Sequence, residues 1–280
     1  MAVNLGYREY FKSDAMPLMW CSGCGNGIIL RAITESLSDL QLPPHQVVVS
    51  TGIGCWGKAD DYMKTHAFHG SHGRALAFGT GIKLGNPDLH VIALMGDGDA
   101  LAIGGNHFIH AARRNMDVTA IISNNFNYGM TGGQYSPTTP LSSKTTTSPM
   151  GVAEPGFDVC ALSEICGANY VARTTAYHVT QMKKFITAAL QKKGFSVVEV
   201  INTCPTHFGK RNIPGDTASM MKHLKDTTVS KTRYDKLNDE EKHNYMVTGE
   251  LVNRQRPDFL NVYKGYKPGD PEAAGGEGQK

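Results

Sequence analysis

Unbroken apolar runs alternate along the chain with amphipathic stretches, and the alternation repeats. His90-Val91-Ile92-Ala93-Leu94-Met95 and Val118-Thr119-Ala120-Ile121-Ile122-Ser123 are apolar at successive positions rather than at every second one. That is the pattern of a parallel strand covered on both faces. Between them a glycine turn leads into a predicted helix from about Asn106 to Arg114. The order β-loop-α-β makes a right-handed crossover between parallel strands. Upstream, Gly27, Ile28, Ile29, Leu30, Ile33 and Leu37 mark an amphipathic helix that stops near Leu42-Pro43-Pro44. Gln46 to Ser50 predicts a strand opening into Thr51-Gly52-Ile53-Gly54-Cys55, and Ala75 to Gly85 a small-residue helix packed closely on a sheet. Downstream come a strand near Tyr170-Val171-Ala172, a helix from Val179 to Lys192 and a strand from Phe195 to Ile201. The predicted fold class is α/β, an open, doubly wound, mostly parallel sheet.

Residues 1–20 read as a polar lead-in and 21–215 as the main domain. Residues 216–267 form a charged, partly helical extension, and 268–280 a Gly/Pro/Glu-rich tail expected to be disordered. With 280 residues, 40% hydrophobic and 19% charged, the core needs no disulfide staples. A net charge of +3 and the lack of any Lys/Arg run exclude a nucleic-acid partner. No signal-peptide-like stretch opens the chain and no run of about 18 apolar residues occurs, so a cytoplasmic protein with no membrane association is expected. In that reducing compartment the six cysteines are thiols or metal ligands rather than disulfides.

In open parallel sheets, ligands gather beyond the carboxyl ends of the strands. Asp97 follows one predicted strand and Asn125 the next, 28 residues later. A carboxylate and an amide oxygen are hard ligands of the kind Mg²⁺ prefers, with places left for diphosphate oxygens. Gly96 and Gly98 clear room for phosphate, and the helix that follows can turn N–H groups toward it. Alone, Gly-Asp-Gly or Asn-Asn would be a surface turn; one crossover apart and each at a strand end, they form a site. Gly96-Asp97-Gly98 followed by Asn124-Asn125 resembles the magnesium motif of the thiamine-diphosphate fold. The resemblance implies side-chain oxygens from Asp97 and Asn125 and a backbone carbonyl from Asn127, with Gly129, Met130 and Thr131 lining the diphosphate.

The cysteines admit several readings on spacing alone. Cys21-Ser22-Gly23-Cys24 is one tight pair, Cys55 sits in Gly-Ile-Gly-Cys-Trp, and Cys204 precedes Pro205. Four thiolates can hold a [4Fe–4S] cluster or a zinc ion, and Cys-x-x-Cys can be a redox pair. Cys160 and Cys166 read as small core residues. His66, His69 and His72, three apart, suit a helix face or a metal site, although Gly70 and Gly73 interrupt any regular helix. His107 and His110 are expected on the helix after the magnesium loop, and Arg113-Arg114 at its solvated end.

The order Trp20-Cys21-x-Gly23-Cys24-Gly25-Asn26-Gly27, Gly52-Ile53-Gly54-Cys55, His72-Gly73-Arg74-Ala75, Gly96-Asp97-Gly98-Asp99-Ala100, Thr131-Gly132-Gly133-Gln134 resembles the beta subunit of the 2-oxoacid:ferredoxin oxidoreductases. The resemblance covers roughly residues 15–210, and the motifs are most like those of the 2-oxoglutarate enzymes. It implies a [4Fe–4S] cluster on Cys21, Cys24, Cys55 and Cys204. It also implies thiamine contacts from Ile53, Gly54, Cys55, Trp56, His72, Gly73, Arg74, Ala75, Gly96, Gly98 and Asp99. The implied reaction is oxidative decarboxylation of a 2-oxoacid to its coenzyme A thioester, with electrons passed to ferredoxin, or the reverse carboxylation. His72 is expected to touch diphosphate or substrate, and Arg74 is the nearest cation for a second substrate carboxylate. The activating Glu is expected from an alpha subunit carrying the pyrimidine-binding half, in an (αβ)2 assembly. Pyruvate or branched-chain 2-oxoacids, a thiamine decarboxylase or synthase without a cluster, and a pure electron carrier are the competing readings.

Overall fold

The computed structural model describes residues 6–265. Met1 to Leu5 of the lead-in and the tail expected to be disordered lie outside the described residues.

Among the described residues ten strands occur in chain order: β1 Val47–Thr51, β2 His66–His69, β3 His90–Gly96, β4 Thr119–Asn124, β5 Asn127–Tyr128, β6 Gln134–Tyr135, β7 Tyr170–Thr175, β8 Ser196–Ile201, β9 Thr228–Ser230 and β10 Met246–Asn253. Eight of them build one sheet in the order β2-β1-β3-β4-β8-β7-β10-β9, with β5 and β6 in a separate hairpin. From β2 to β7 every pairing is parallel, while β10 runs antiparallel to β7. The expected doubly wound, mostly parallel sheet is therefore present. The 216–267 stretch contributes more than helix: it adds β9 and β10 to the far edge of the same sheet.

The apolar runs are explained by which face each residue takes. Ile92 and Leu94 of β3 pack with helix α1 (Asn26–Asp39), while Val91, Ala93 and Met95 join the opposite layer. That second layer includes helices α2 (Ala75–Gly85), α3 (Gly105–Arg113) and α4 (Val159–Ile165); α5 (Val179–Gln191) lies with α1. Both faces being covered, the central strands are apolar on each, and the buried polar residues they carry, such as Arg173 and Glu199, are paired.

The register places the site. Gly96 pairs with Ser123, and Asn124 with Ile201, so β3, β4 and β8 end level with one another. Asp97, Asn125 and the Cys204 segment consequently emerge side by side at the carboxyl edge. Directly after Gly98 the chain makes a single π-helical stretch, Asp99–Ile103, before α3; such stretches are frequent at functional sites.

Candidate functional site

Asp97 is almost fully buried at the end of β3. Ser136 Oγ donates to its Oδ2, and Thr138 Oγ1 does so at 2.8 Å. Thr138 Oγ1 also lies 3.0 Å from Asn124 Oδ1, so its one proton is shared between the two acceptors. Burial pushes the Asp97 carboxyl up to about 6, against the opposing pull of these hydroxyls. Among the described residues no Lys or Arg forms an ion pair with it. A buried carboxylate held only by neutral donors lacks its counter-charge, which a divalent cation would supply.

The Asn-Asn turn aims the other donors. Phe126 adopts a left-handed φ of 60°, and its N–H donates to Asn124 Oδ1 at 3.1 Å. The turn carries Asn127 onto β5, buried, with Oδ1 lacking any partner. The β5–β6 hairpin then folds Gly129, Met130 and Thr131 back over the strand ends. Its turn is closed by Gly133 N–H donating to Tyr128 O at 2.8 Å and by Gly133 itself at φ 87°.

One cavity is lined by Ile53, Gly54, Cys55 and Trp56 after β1, and by Gly96, Asp97, Gly98 and Asp99 after β3. Asn125, Asn127, Gly129, Met130 and Thr131 after β4, and His72 from the segment after β2, complete it. A Cβ on Gly96 would meet nothing within 4 Å, so this glycine faces open space at the cavity wall. Gly73, Arg74 and Ala75 do not line the cavity. Arg74 Nη1 donates to the His72 carbonyl at 2.6 Å, and Ala75 is fully buried beneath it. Ser123 and Tyr128 also line the cavity, and no motif marks either of them in advance.

Asp99 ties three of these segments together. Its Oδ1 accepts from His72 Nδ1 at 2.5 Å, Gly73 N at 2.6 Å and Ile53 N at 3.3 Å, while Oδ2 is buried without a partner. His66 and His69 lie instead on edge strand β2, where His69 meets Asp60 and Thr51. His107 and His110 sit on α3 and Arg113-Arg114 at its exposed end, as expected.

Beside the cavity the four distant cysteines converge. A Cβ on Gly129 would stand 3.5 Å from the sulfurs of both Cys55 and Cys204. Thr203 Oγ1 donates to Gly23 O at 2.8 Å, and Asn202 Oδ1 accepts from Gly25 N at 2.9 Å, pinning the Cys21–Cys24 loop to the end of β8. Trp20 Nε1 donates to Cys55 O at 2.6 Å. Burial pushes the Cys24 thiol up to about 12 and the Cys55 thiol to about 11, with neighbouring cysteine charges adding to both. A cationic centre would be needed to hold these two thiols as thiolates.

Around tetrahedral zinc, with zinc–sulfur bonds of about 2.3 Å, sulfurs stand about 3.8 Å apart. Among the described residues the set of three or more metal-type ligand atoms all within 4.8 Å is Asp158, Cys160 and Glu199, not the four cysteines. That set already holds the Arg173 guanidinium, at 2.5 Å from Asp158 and 2.6 Å from Glu199. Among the described residues no three of the tetrad's sulfurs lie within 4.8 Å of one another.

The family model of the thiamine pyrophosphate enzyme C-terminal TPP-binding domain matches residues 45–200. The 2-oxoglutarate synthase subunit KorB of Methanocaldococcus jannaschii is 43% identical over 90% of this chain and 93% of its own. The KorB subunit of Archaeoglobus fulgidus is 50% identical over 79% of this chain and 80% of its own. Among solved structures, a 2-oxoglutarate:ferredoxin oxidoreductase from Magnetococcus marinus, with 2-oxoglutarate, coenzyme A and succinyl-CoA bound, superposes with a TM-score of 0.82 at 26% identity, covering 97% of this chain and 95% of that one.

Proposed function

The chain belongs to the beta subunits of the 2-oxoacid:ferredoxin oxidoreductases, and we propose that it supplies the diphosphate-binding half of a 2-oxoglutarate:ferredoxin oxidoreductase. The reaction is CoA-dependent oxidative decarboxylation of 2-oxoglutarate to succinyl-CoA, or its reverse. Thiamine diphosphate, when bound, supplies the carbanion stabilisation that decarboxylation of a 2-oxoacid requires.

The observation that carries the reading is the meeting at Gly129 of the sulfurs of Cys55 and Cys204 with the amide of Asn125, in a cavity that Asp97 also lines. Asp97 and Asn125 side chains and the Asn127 carbonyl would hold Mg²⁺, leaving further octahedral positions for diphosphate oxygens and water. Cys21, Cys24, Cys55 and Cys204 would hold a [4Fe–4S] cluster, which takes electrons singly. Asp99 orients His72, whose other ring nitrogen is left to meet diphosphate or substrate.

The cavity is chemically half a site. No Glu, Lys or Arg is among its lining residues. The activating Glu and the cation for the distal carboxylate of 2-oxoglutarate therefore come, in this reading, from an alpha subunit, Arg74 standing outside the cavity lining. We assign the assembly as (αβ)2 with ferredoxin as electron acceptor. Among the described residues no helix is long and apolar enough to cross a membrane, and the free thiols suit a reducing cytoplasm.

The test compares anaerobically prepared complex with the isolated chain, assaying 2-oxoglutarate and pyruvate with coenzyme A and ferredoxin. Turnover by the complex only, with 2-oxoglutarate preferred, is expected. Turnover by the isolated chain would overturn the division of the site, and preference for pyruvate would overturn the substrate.

A further inference from the structure

Two sulfurs of the tetrad each receive a hydrogen bond from a side chain. Thr206 Oγ1 donates to Cys21 Sγ at 3.1 Å, and Asn127 Nδ2 donates to Cys204 Sγ at 3.6 Å.

We infer that Thr206 and Asn127 are positioning residues that set the reduction potential of the cysteine-bound cluster through these bonds to sulfur. The inference rests on the cluster reading given above. One-electron reduction adds one negative charge to the cluster and its thiolates, with no bond made or broken. A donor pointed at a ligand sulfur stabilises the more negative state, so it raises the potential. Removing the donor favours the oxidised state.

The two bonds differ in weight. Asn127 and Cys204 are both buried, where an electrostatic interaction is strong, whereas Thr206 and Cys21 are exposed and screened by water. Asn127 has a second role in the same reading, because its backbone carbonyl faces the magnesium site while its amide reaches the cluster ligand. A single residue then joins the two centres between which electrons pass. Its unpartnered Oδ1 shows that the side chain is held by the amide bond to sulfur rather than by a neighbouring donor.

The experiment is a redox titration of the assembled complex under argon, following the reduced-cluster signal by electron paramagnetic resonance. Thr206→Val removes the hydroxyl at nearly constant shape, Thr206→Ser restores it, and Asn127→Leu removes the amide while keeping the backbone carbonyl. Thr206→Val is expected to lower the equilibrium constant for cluster reduction by about threefold and Asn127→Leu by about tenfold, the latter being 59 mV for a one-electron couple. Thr206→Ser should titrate with the parent. An intact cluster with unmoved potential in both variants overturns the inference and leaves the cluster reading standing. Loss of iron on Thr206→Val would make that residue a support of the cluster, also against the inference. Absence of iron from the parent complex would instead overturn the four-cysteine reading itself.

Discussion

The Asn124 amide donates to Glu199 Oε1 at 2.8 Å across neighbouring strands, joining the magnesium motif to a buried ion pair. Glu199 also accepts from Arg173 at 2.6 Å, and the two are register partners on β7 and β8. The line continues from Asn124 through Thr138 to Asp97. Removing Glu199 strands a buried guanidinium, so Glu199→Ala is expected to cost about 3–5 kcal/mol of stability. Asp158, the guanidinium's half-exposed partner, mainly caps α4, and Asp158→Ala should cost about 1 kcal/mol. Urea unfolding of the two variants checks the contrast; equal costs would deny the pair its buried character.

Asp97→Ala should abolish Mg²⁺-dependent thiamine diphosphate binding while leaving the iron content unchanged. The metal donors lie after β3 and β4, and the cysteines come from other loops. Calorimetric titration of thiamine diphosphate with parallel iron analysis checks both halves. Iron lost while the cofactor is retained would reverse the assignment.

A pH dependence follows from the position of Asp97. Its folded-state pKa, raised to about 6, exceeds its ordinary value of 3.8, so the metal-free folded state holds the proton between these values. Metal-free stability therefore falls as pH rises through that window, by roughly 3 kcal/mol for this group, and stays lower above it. Mg²⁺ needs the carboxylate ionised, so its affinity should weaken as pH drops below about 6. Asp97→Asn should flatten both trends, measured by thermal unfolding and Mg²⁺ titration from pH 4.5 to 8.

Asp99→Ala frees the His72, Gly73 and Ile53 segments together. Thiamine diphosphate affinity is expected to fall about tenfold or more, a loss of about 1.4 kcal/mol. His72→Ala should cost less, since it leaves the Gly73 and Ile53 bonds in place. Tryptophan fluorescence quenching, with Trp56 at the cavity wall, reads the binding.

The parts of this structure readable in advance are those where one physical cause dominates. The runs in β3 and β4 are apolar throughout because Ile92 and Leu94 face one layer and Val91, Ala93 and Met95 the other. Gly96-Asp97-Gly98 and Asn124-Asn125 were visible because each follows such a run. Strand β2 was not, since His66–His69 is an exposed edge with no apolar demand. Strand β10 was hidden by Gly249 at φ 144° and by a bulge between Glu250 and Val252, which break its alternation. Ser136 and Thr138 sit in a stretch that reads as polar loop; their role appears only when the chain folds back onto Asp97. Arg74 is the nearest cation by its place after His72, yet it stands outside the cavity lining with Nη1 donating to the His72 carbonyl, a placement that only the fold reveals.

The central claim is that one chain joins a magnesium–thiamine site to a four-cysteine iron–sulfur cluster. Its most direct test is metal and cofactor analysis of the anaerobically purified complex beside the Cys204→Ala variant. The account predicts about four irons bound through this chain and one thiamine diphosphate per beta chain, with those irons lost and the cofactor retained in the variant. Zinc or no metal at the cysteines of the parent, or iron unchanged in the variant, would contradict it.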